Sequence, residues 1–416
     1  MKLFYDLSVQ DLPPAFEDNL AGITVLLQKY LTYENTLLGT NDENDVGQLE
    51  LVKSGILEVL SLYVQKYEDA FGIHVEPFVK SSWNLLTTIG METKYDILVS
   101  KALQFLTSVT RIPEHARSFN DESTMGQVVQ RVILPNLTLR DADIELFEDE
   151  PIEFIRRDLE GSDNDTRRRA ATDFLRQLLS QFENMVAKVV FRYIDHYLAE
   201  YSSDPKANWK SKDTAVYLYS SISIKGTVTT SQGVKSTHDF VNVLDFFQRN
   251  VAKDLISDTG VEPILKVDAI KYLYTFRSQM TKEQWHDAFP LLVKHLGSSD
   301  FVVYSYSAIA LERVMALSND SNQPMIDPAD VMSMAGQLLE HLFTLIEGNP
   351  EPAKLQENEF LMRCVMRVLL VIREGVAPIA DYVLAHLIKI TQIIRENPSN
   401  PRFYYYHFEA LGALIR

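Results

Sequence analysis

Apolar side chains recur along the chain with the 3.6-residue period of a helix face, in groups that resemble one another. Each group holds an apolar residue, a small or aliphatic residue about one turn later, and more apolar residues over the next two turns. Val52, Ile56, Val59, Leu60 and Tyr63 form one group, and Leu98, Ala102, Phe105, Leu106 and Val109 another. Ala171, Phe174, Leu175 and Leu178 follow, then Ala215, Leu218, Tyr219 and Ile222, then Leu265, Ala269, Tyr272, Leu273 and Phe276. Looser copies are Tyr304, Ala308, Leu311 and Met315; Phe360, Cys364, Val368 and Val371; and Tyr406, Ala410, Ala413 and Leu414. Measured at the anchor residue the copies stand at 56, 102, 171, 215, 269, 308, 364 and 410, giving steps of 46, 69, 44, 54, 39, 56 and 46. Most steps lie near the roughly 40–47 residues of a HEAT or armadillo unit, two antiparallel helices with their turns. A small anchor is what a close helix crossing demands.

A second helical run lies between successive copies, so each copy has a partner. Residues 15–33 precede 46–71, 74–89 precede 94–110, 123–136 precede 166–182, and 184–201 precede 208–225. Further on, 238–256 precede 263–279, 281–296 precede 300–317, 329–347 precede 357–374, and 378–396 precede 402–415. Ser, Thr, Asp, Asn or Pro stands close to each helix start, and Gly90-Met-Glu-Thr reads as a tight turn. The pattern predicts an all-α fold, an α-solenoid (superhelix) of HEAT repeats with about eight helix pairs. Residues 1–416 are expected to form a single continuous array. The polar stretch 226–237 reads as a loop and accounts for the step of 54. The step of 69 leaves about two dozen residues beyond one unit, an insertion at 141–165. Neither end carries the polar finishing unit that a solenoid needs, so the chain reads as a segment of a longer protein.

Composition narrows the picture. The chain is 46% hydrophobic, ample for a core, and its 16 Gly and 16 Pro are too few for an all-β or disordered chain of 416 residues. One cysteine, Cys364, rules out an intrachain disulfide and suits a reducing compartment. The start, Met1-Lys-Leu-Phe-Tyr-Asp-Leu, has no signal-peptide core, and no apolar run approaches the roughly 18 residues of a membrane span. These features predict a soluble intracellular protein with no membrane insertion, its sequons Asn136-Leu-Thr and Asn319-Asp-Ser idle. A formal net charge of −17 argues against nucleic acid and favours a basic protein partner.

Chemistry-bearing motifs are missing. There is no Gly-x4-Gly-Lys-Ser/Thr or Gly-x-Gly-x-x-Gly phosphate loop and no Gly-x-Ser-x-Gly elbow. The nine His are scattered and His-Glu-x-x-His is absent. Asp141-x-Asp143-x-Glu145 starts like a calcium loop, but Leu146 stands where that loop needs Gly and no Glu closes it. Cys364 holds the place Ala takes in other copies and reads as a packing residue. No catalytic residue, metal or cofactor is expected.

The least regular stretch is Phe147-Glu-Asp-Glu-Pro-Ile-Glu-Phe-Ile-Arg-Arg-Asp-Leu-Glu-Gly-Ser-Asp-Asn-Asp-Thr-Arg-Arg-Arg-Ala-Ala171. Its first half reads as a helix, with Asp149 and Glu150 beside Pro151, Ile152, Ile155 and Leu159 on one face, and Gly161 as the stop. A second helix is expected near Thr166, N-capped by Asp163 or Asp165, with Arg167, Arg168 and Arg169 in its first turn. Three cations there oppose the helix dipole, at roughly 0.3–1 kcal/mol each. Carboxylates from residues 148–160 or from a partner should therefore stand beside them. The candidate partner-binding or latch residues are Glu148, Asp149, Glu150, Arg156, Arg157, Asp158, Glu160, Asp163, Asp165, Arg167, Arg168 and Arg169. Two readings stay open: an internal latch, or a loop that also touches a partner.

This string resembles the signature of the exportin-2 family, the importin-α re-exporters among the importin-β-like karyopherins. So do Ile133-Leu-Pro-Asn136, Asn208-Trp-Lys-Ser-Lys-Asp213, Leu265-Lys-Val-Asp-Ala-Ile-Lys-Tyr272, Tyr274-Thr-Phe-Arg277, Glu357-Asn-Glu-Phe-Leu-Met-Arg363 and Asn397-Pro-Ser-Asn-Pro401. The likeness runs from Asp11-Leu-Pro-Pro to Phe408-Glu-Ala410. It implies a HEAT superhelix that binds importin-α as cargo together with Ran-GTP, passes nuclear pore proteins and shuttles between nucleus and cytoplasm. It also implies that the repeats gripping Ran first and the C-terminal arch lie outside this segment, which alone would hold Ran-GTP weakly. The other reading of the same periodicity is a HEAT scaffold for a different complex, without a transport role.

Overall fold

The anchor residues of all eight copies are buried: Ile56, Ala102, Ala171, Ala215, Ala269, Ala308, Cys364 and Ala410 are each at most 1% exposed. The computed structural model describes residues 1–160, 166–229, 231–319 and 321–415, with the backbone alone at 160, 227 and 229. The chain forms two compact units, residues 1–146 with 156–222, and residues 147–155 with 223–416.

In the first unit Leu20–Leu31 packs on Gln48–Lys66, and Val75–Thr88 on Asp96–Thr110. The run from Glu122 to Leu137 packs on Arg167–Gln181. Glu183–Ser203 is followed by Trp209–Ser223. The second helices of the pairs also stack on one another, Gln48–Lys66 on Asp96–Thr110 and that on Arg167–Gln181. Their anchors Ile56, Ala102 and Ala171 are all buried in this packing. A π turn over Val129–Ile133 precedes Pro135, whose ring and missing N–H do not fit a regular turn.

The second unit follows the same plan. The run from Val243 to Ile256 precedes Pro263–Thr275, Lys282–His295 precedes Phe301–Met315, Pro328–Glu347 precedes Glu359–Ile372, and Ala380–Ile394 precedes Pro401–Ile415. Pro263–Thr275, Phe301–Met315, Glu359–Ile372 and Pro401–Ile415 stack in that order. Asp300 accepts from the Val303 amide at 2.9 Å, and Thr281 with Gln284 makes a reciprocal capping box; Asn242 accepts from the Asp245 amide at 3.0 Å, so the helix expected from 238 begins at Val243. Among the described residues no helix is long and apolar enough to cross a membrane.

Four expectations are corrected. The stretch 226–237 is not a loop: β1 (Ile224–Thr229) and β2 (Gly233–Thr237) pair antiparallel as a hairpin. The 15–33 run is broken at Asp18 and Asn19 into Pro14–Glu17 and Leu20–Leu31, and a further helix spans Lys2–Ser8. Val52 is 40% exposed, in the first turns of Gln48–Lys66 ahead of the buried run that begins at Lys53. Phe360, Val371, Tyr406, Ala413 and Leu414 are only half-buried.

The hairpin is docked by the residues after Pro263–Thr275. Ser278 Oγ and Gln279 Nε2 donate to the Val234 carbonyl at 2.6 and 3.0 Å, and Gln279 Nε2 also donates to that of Lys235 at 2.9 Å. Gly233 has a φ of +73°, and a Cβ there would lie 2.4 Å from the Thr275 carbonyl oxygen and 2.8 Å from Arg277 Nη1. Gly233→Ala is therefore expected to undock the hairpin, lowering stability by about 1–3 kcal/mol. Faster hydrogen exchange of the 224–237 amides is the measurement, and unchanged exchange would contradict the docking.

His407 is fully buried in the last helix. Thr391 Oγ1 donates to the Leu387 carbonyl at 2.9 Å, so at 2.8 Å it accepts from His407 Nε2–H. Burial pushes the imidazole down to about 4. Between about pH 6.5 and 4 the unfolded chain binds the extra proton, so the stability present above 6.5 fades as pH falls through that window, by up to roughly 3 kcal/mol. Urea unfolding at stepped pH is expected to show this loss and His407→Leu to flatten it.

Candidate partner-binding site

The excursion is two helices, Asp141–Asp149 and Pro151–Glu160. Their junction holds a small apolar pair: the rings of Phe147 and Phe154 meet edge to face at 5.1 Å, and Phe147 is buried. Ile155 is also fully buried, whereas Ile152 and Leu159 are half-buried. Glu148, Asp149 and Glu150 are exposed at the corner, as are Arg157 and Asp158 further on, while Arg156 is half-buried. Glu160 is described by its backbone alone, and Gly161, Asp163 and Asp165 lie outside the described residues. The cap that the structure does show is Thr166, whose Oγ1 accepts from the Arg169 amide at 3.2 Å.

The three arginines that follow do not share one environment. Arg167 is 3% exposed, and its Nε donates to Asp96 Oδ1 at 2.6 Å. Its two Nη groups donate to the Gly90 carbonyl, each at 3.1 Å, and Nη2 to the Glu92 carbonyl at 3.0 Å. Burial pushes its guanidinium down, and Asp96 opposes that. Arg168 pairs with buried Asp213 at 2.6 Å and lies 3.8 Å over the Tyr217 ring. Arg169 is exposed and reaches Asp173 at 3.5 Å, one turn on. The carboxylates described beside these cations are Asp96, Asp213 and Asp173. A helix start with three cations is tolerated because helices before and after the excursion answer two of them.

Arg140 completes the cluster. It holds Asp96 bidentately at 2.7 and 3.0 Å, and Asp143 through Nε and Nη2, both at 3.1 Å. Burial alone would push the Arg140 guanidinium down, but its hydrogen bonds with Asp96 and Asp143 outweigh that and hold it up. Asp143 is likewise held below the usual carboxylate range by Arg140 despite burial. Asp143 is therefore committed to Arg140 and Asp141 to Lys210 at 2.8 Å, both within a helix, so the calcium-loop pattern is not a loop. Among the described residues no group of three His, Cys, Asp or Glu side chains is placed to hold a metal.

Asp96 and Arg140 were not among the sequence candidates. The signal available was their separation of 44 residues, one repeat step. Asn136, by contrast, stood in a quoted motif, and its Oδ1 faces Arg167 Nη1 at 3.5 Å while its Nδ2 donates to the Val132 carbonyl at 2.7 Å.

The other quoted strings meet in the same way. Gln356 is buried; its Oε1 accepts from the Ser399 and Asn400 amides at 2.9 and 3.0 Å, and Asn400 Nδ2 reaches Glu359 at 2.7 Å. The 357–363 and 397–401 strings thereby close one turn on the next pair. Cys364 is fully buried, and burial pushes its thiol up, as a packing residue requires.

Paired helices, small residues at the crossings and bonds that step by one unit define a HEAT-type α-solenoid. Comparison with known proteins places the chain more closely. It belongs to the Cse1 family: the Cse1 family model matches residues 1–311, and that of the CAS/CSE protein C-terminus matches residues 312–416. It is 45% identical over its whole length to the importin alpha re-exporter of Saccharomyces cerevisiae, covering 44% of that protein. It is 43% identical, again over its whole length, to exportin-2 of Danio rerio, covering 42%. Among solved structures it resembles the exportin Cse1 in its cargo-free, cytoplasmic state, with a TM-score of 0.91, 45% identity, all of this chain and 43% of that one covered. The chain thus spans less than half the length of the curated relatives it matches.

Asp96→Ala leaves buried Arg167 and half-buried Arg140 without their shared carboxylate and is expected to lower the unfolding free energy by about 3–5 kcal/mol. Glu148→Gln, on an exposed side chain, is expected to stay within about 0.5 kcal/mol. Urea titration of both variants decides, and similar midpoints would show the cluster to be unimportant.

Proposed function

We propose that this chain is part of a nuclear export receptor that returns importin-α from nucleus to cytoplasm with Ran-GTP, shuttling through the nuclear pore. It works by binding, without catalysis or cofactor. The observation that supports this is the full-length likeness to proteins named importin alpha re-exporter and exportin-2. In this reading importin-α is the cargo, Ran-GTP and nuclear pore proteins are the other partners, and the segment alone holds Ran-GTP weakly.

The excursion divides between two roles. Arg167 and Arg168 are the latch, tied to Asp96 and Asp213, and hold the excursion's downstream end in register. Exposed Glu148, Asp149 and Glu150 are the face offered to a basic partner surface. Arg156, Arg157, Asp158 and Arg169 belong to the same stretch, as do Glu160, Asp163 and Asp165.

Size-exclusion chromatography of the longer receptor with importin-α is expected to give a joint peak that requires Ran-GTP and weakens as salt rises. Changing Glu148, Asp149 and Glu150 together to Lys is expected to reduce that binding about tenfold, chiefly through the association rate. A joint peak indifferent to Ran-GTP would overturn the transport reading, and an unaffected triple variant would remove the acids from the contact.

A further inference from the structure

The second helices of three successive pairs in the first unit form the wall of a cavity of about 600 Å³. Each offers one stripe at helical spacing: Glu58, Ser61 and Gln65 from Gln48–Lys66; Lys101, Gln104 and Ser108 from Asp96–Thr110; Asp173, Arg176, Gln177 and Ser180 from Arg167–Gln181. Arg111 closes one end. Polar side chains predominate in the lining, with Leu62 and Tyr5 of Lys2–Ser8 among them, whereas the opposite faces of the same helices are apolar core.

Its charge runs against that of the chain. The cavity is lined by Lys101, Arg111 and Arg176 against Glu58 and Asp173, in a protein of formal net charge −17. Both acids are committed: Glu58 pairs with Lys101 at 3.3 Å, and Asp173 with Arg169 at 3.5 Å. Exposed Arg111 and half-buried Arg176 have no carboxylate at ion-pair distance among the described residues. Arg176 Nε donates to the Ser221 carbonyl at 3.0 Å, which fixes the plane of the guanidinium. Burial pushes that guanidinium down, and the nearby charge of Asp173 opposes this only in part. Gln65 Nε2 donates to Ser108 Oγ at 2.8 Å, holding its carboxamide against the wall.

We propose that this trough takes an extended acidic peptide segment of a partner protein. Carboxylates satisfy Arg111 and Arg176, for which planar bidentate pairing is the strong geometry. Gln65 and Gln177 each keep a second amide N–H and a carboxamide oxygen beyond their bonds to Ser108 and the Thr110 carbonyl, the complement of a peptide unit. Three stacked helices span about 20 Å, room for roughly six residues of extended chain. A compact anion would leave most of that length unused. The inference is independent of the transport reading, since it rests on the lining alone.

The test is fluorescence anisotropy at low salt with the full chain and a labelled oligo(Glu-Ser) peptide about eight residues long. Saturable binding is expected, weakened at least about tenfold when every Glu of the peptide is replaced by Gln, and likewise by Arg111→Glu. Arg111 is exposed, so that variant keeps the fold, which its unfolding midpoint verifies; Arg176→Gln is the second variant, expected to act in the same direction. Equal binding of the Glu and Gln peptides, or full binding by Arg111→Glu, overturns the proposal. A preference for a single-stranded oligonucleotide over the peptide overturns it as well, in favour of nucleic acid.

Discussion

Two helices can lie side by side along their length only if the residue at the crossing leaves room for the neighbouring ridge. In this chain the repeated anchor is Ala six times, Cys once and Ile once, and each is buried. Everything else follows from the close approach it permits. The apolar residues on either side become core, and the polar ends of adjacent pairs come within hydrogen-bond reach.

Those polar contacts repeat with the period of the fold. Arg140 to Asp96 spans 44 residues, Arg168 to Asp213 45, Gln65 to Ser108 43 and Asn400 to the Gln356 carbonyl 44. Each is a bond from one pair to the equivalent place in the next. Where the excursion intervenes the same step lengthens: Arg167 to Asp96 spans 71 and Lys210 to Asp141 69. The added chain leaves the register of the repeats intact on both sides, and the Asp96 carboxylate, shared by Arg140 and Arg167, is what joins them. Removing one member of such a buried set exposes the others to an uncompensated desolvation penalty, so the cluster specifies the local arrangement more than it adds to stability.

The strings that carry the family likeness are largely these fastening residues. Asn136 faces Arg167, Asp213 holds Arg168, Arg277 lies under Gly233, and the turn at 397–401 closes on Gln356 and Glu359. A buried polar partner tolerates little change, whereas helix-face residues need only stay apolar or stay polar. Downstream of the excursion Arg167 is buried and Arg168 half-buried against Asp213, whereas Glu148, Asp149 and Glu150 are exposed.

The sequence by itself determined the helices, their pairing and the position of the insertion, because helical period, small anchors and caps act over a few residues and are written locally. It also marked the 147–171 stretch as unusual, through three cations crowded into the first turn of one helix. What answers the first two of them was decided only in three dimensions, since Asp96 and Asp213 lie 71 and 45 residues away and look in the sequence like any exposed acid. The hairpin was hidden for the same reason: 226–237 is polar and short, and its strands are fixed by Ser278 and Gln279, each bonded across 44 residues of chain. Local periodicity sets an element, whereas the partner of a charge or the docking of a short strand depends on distances that only packing creates.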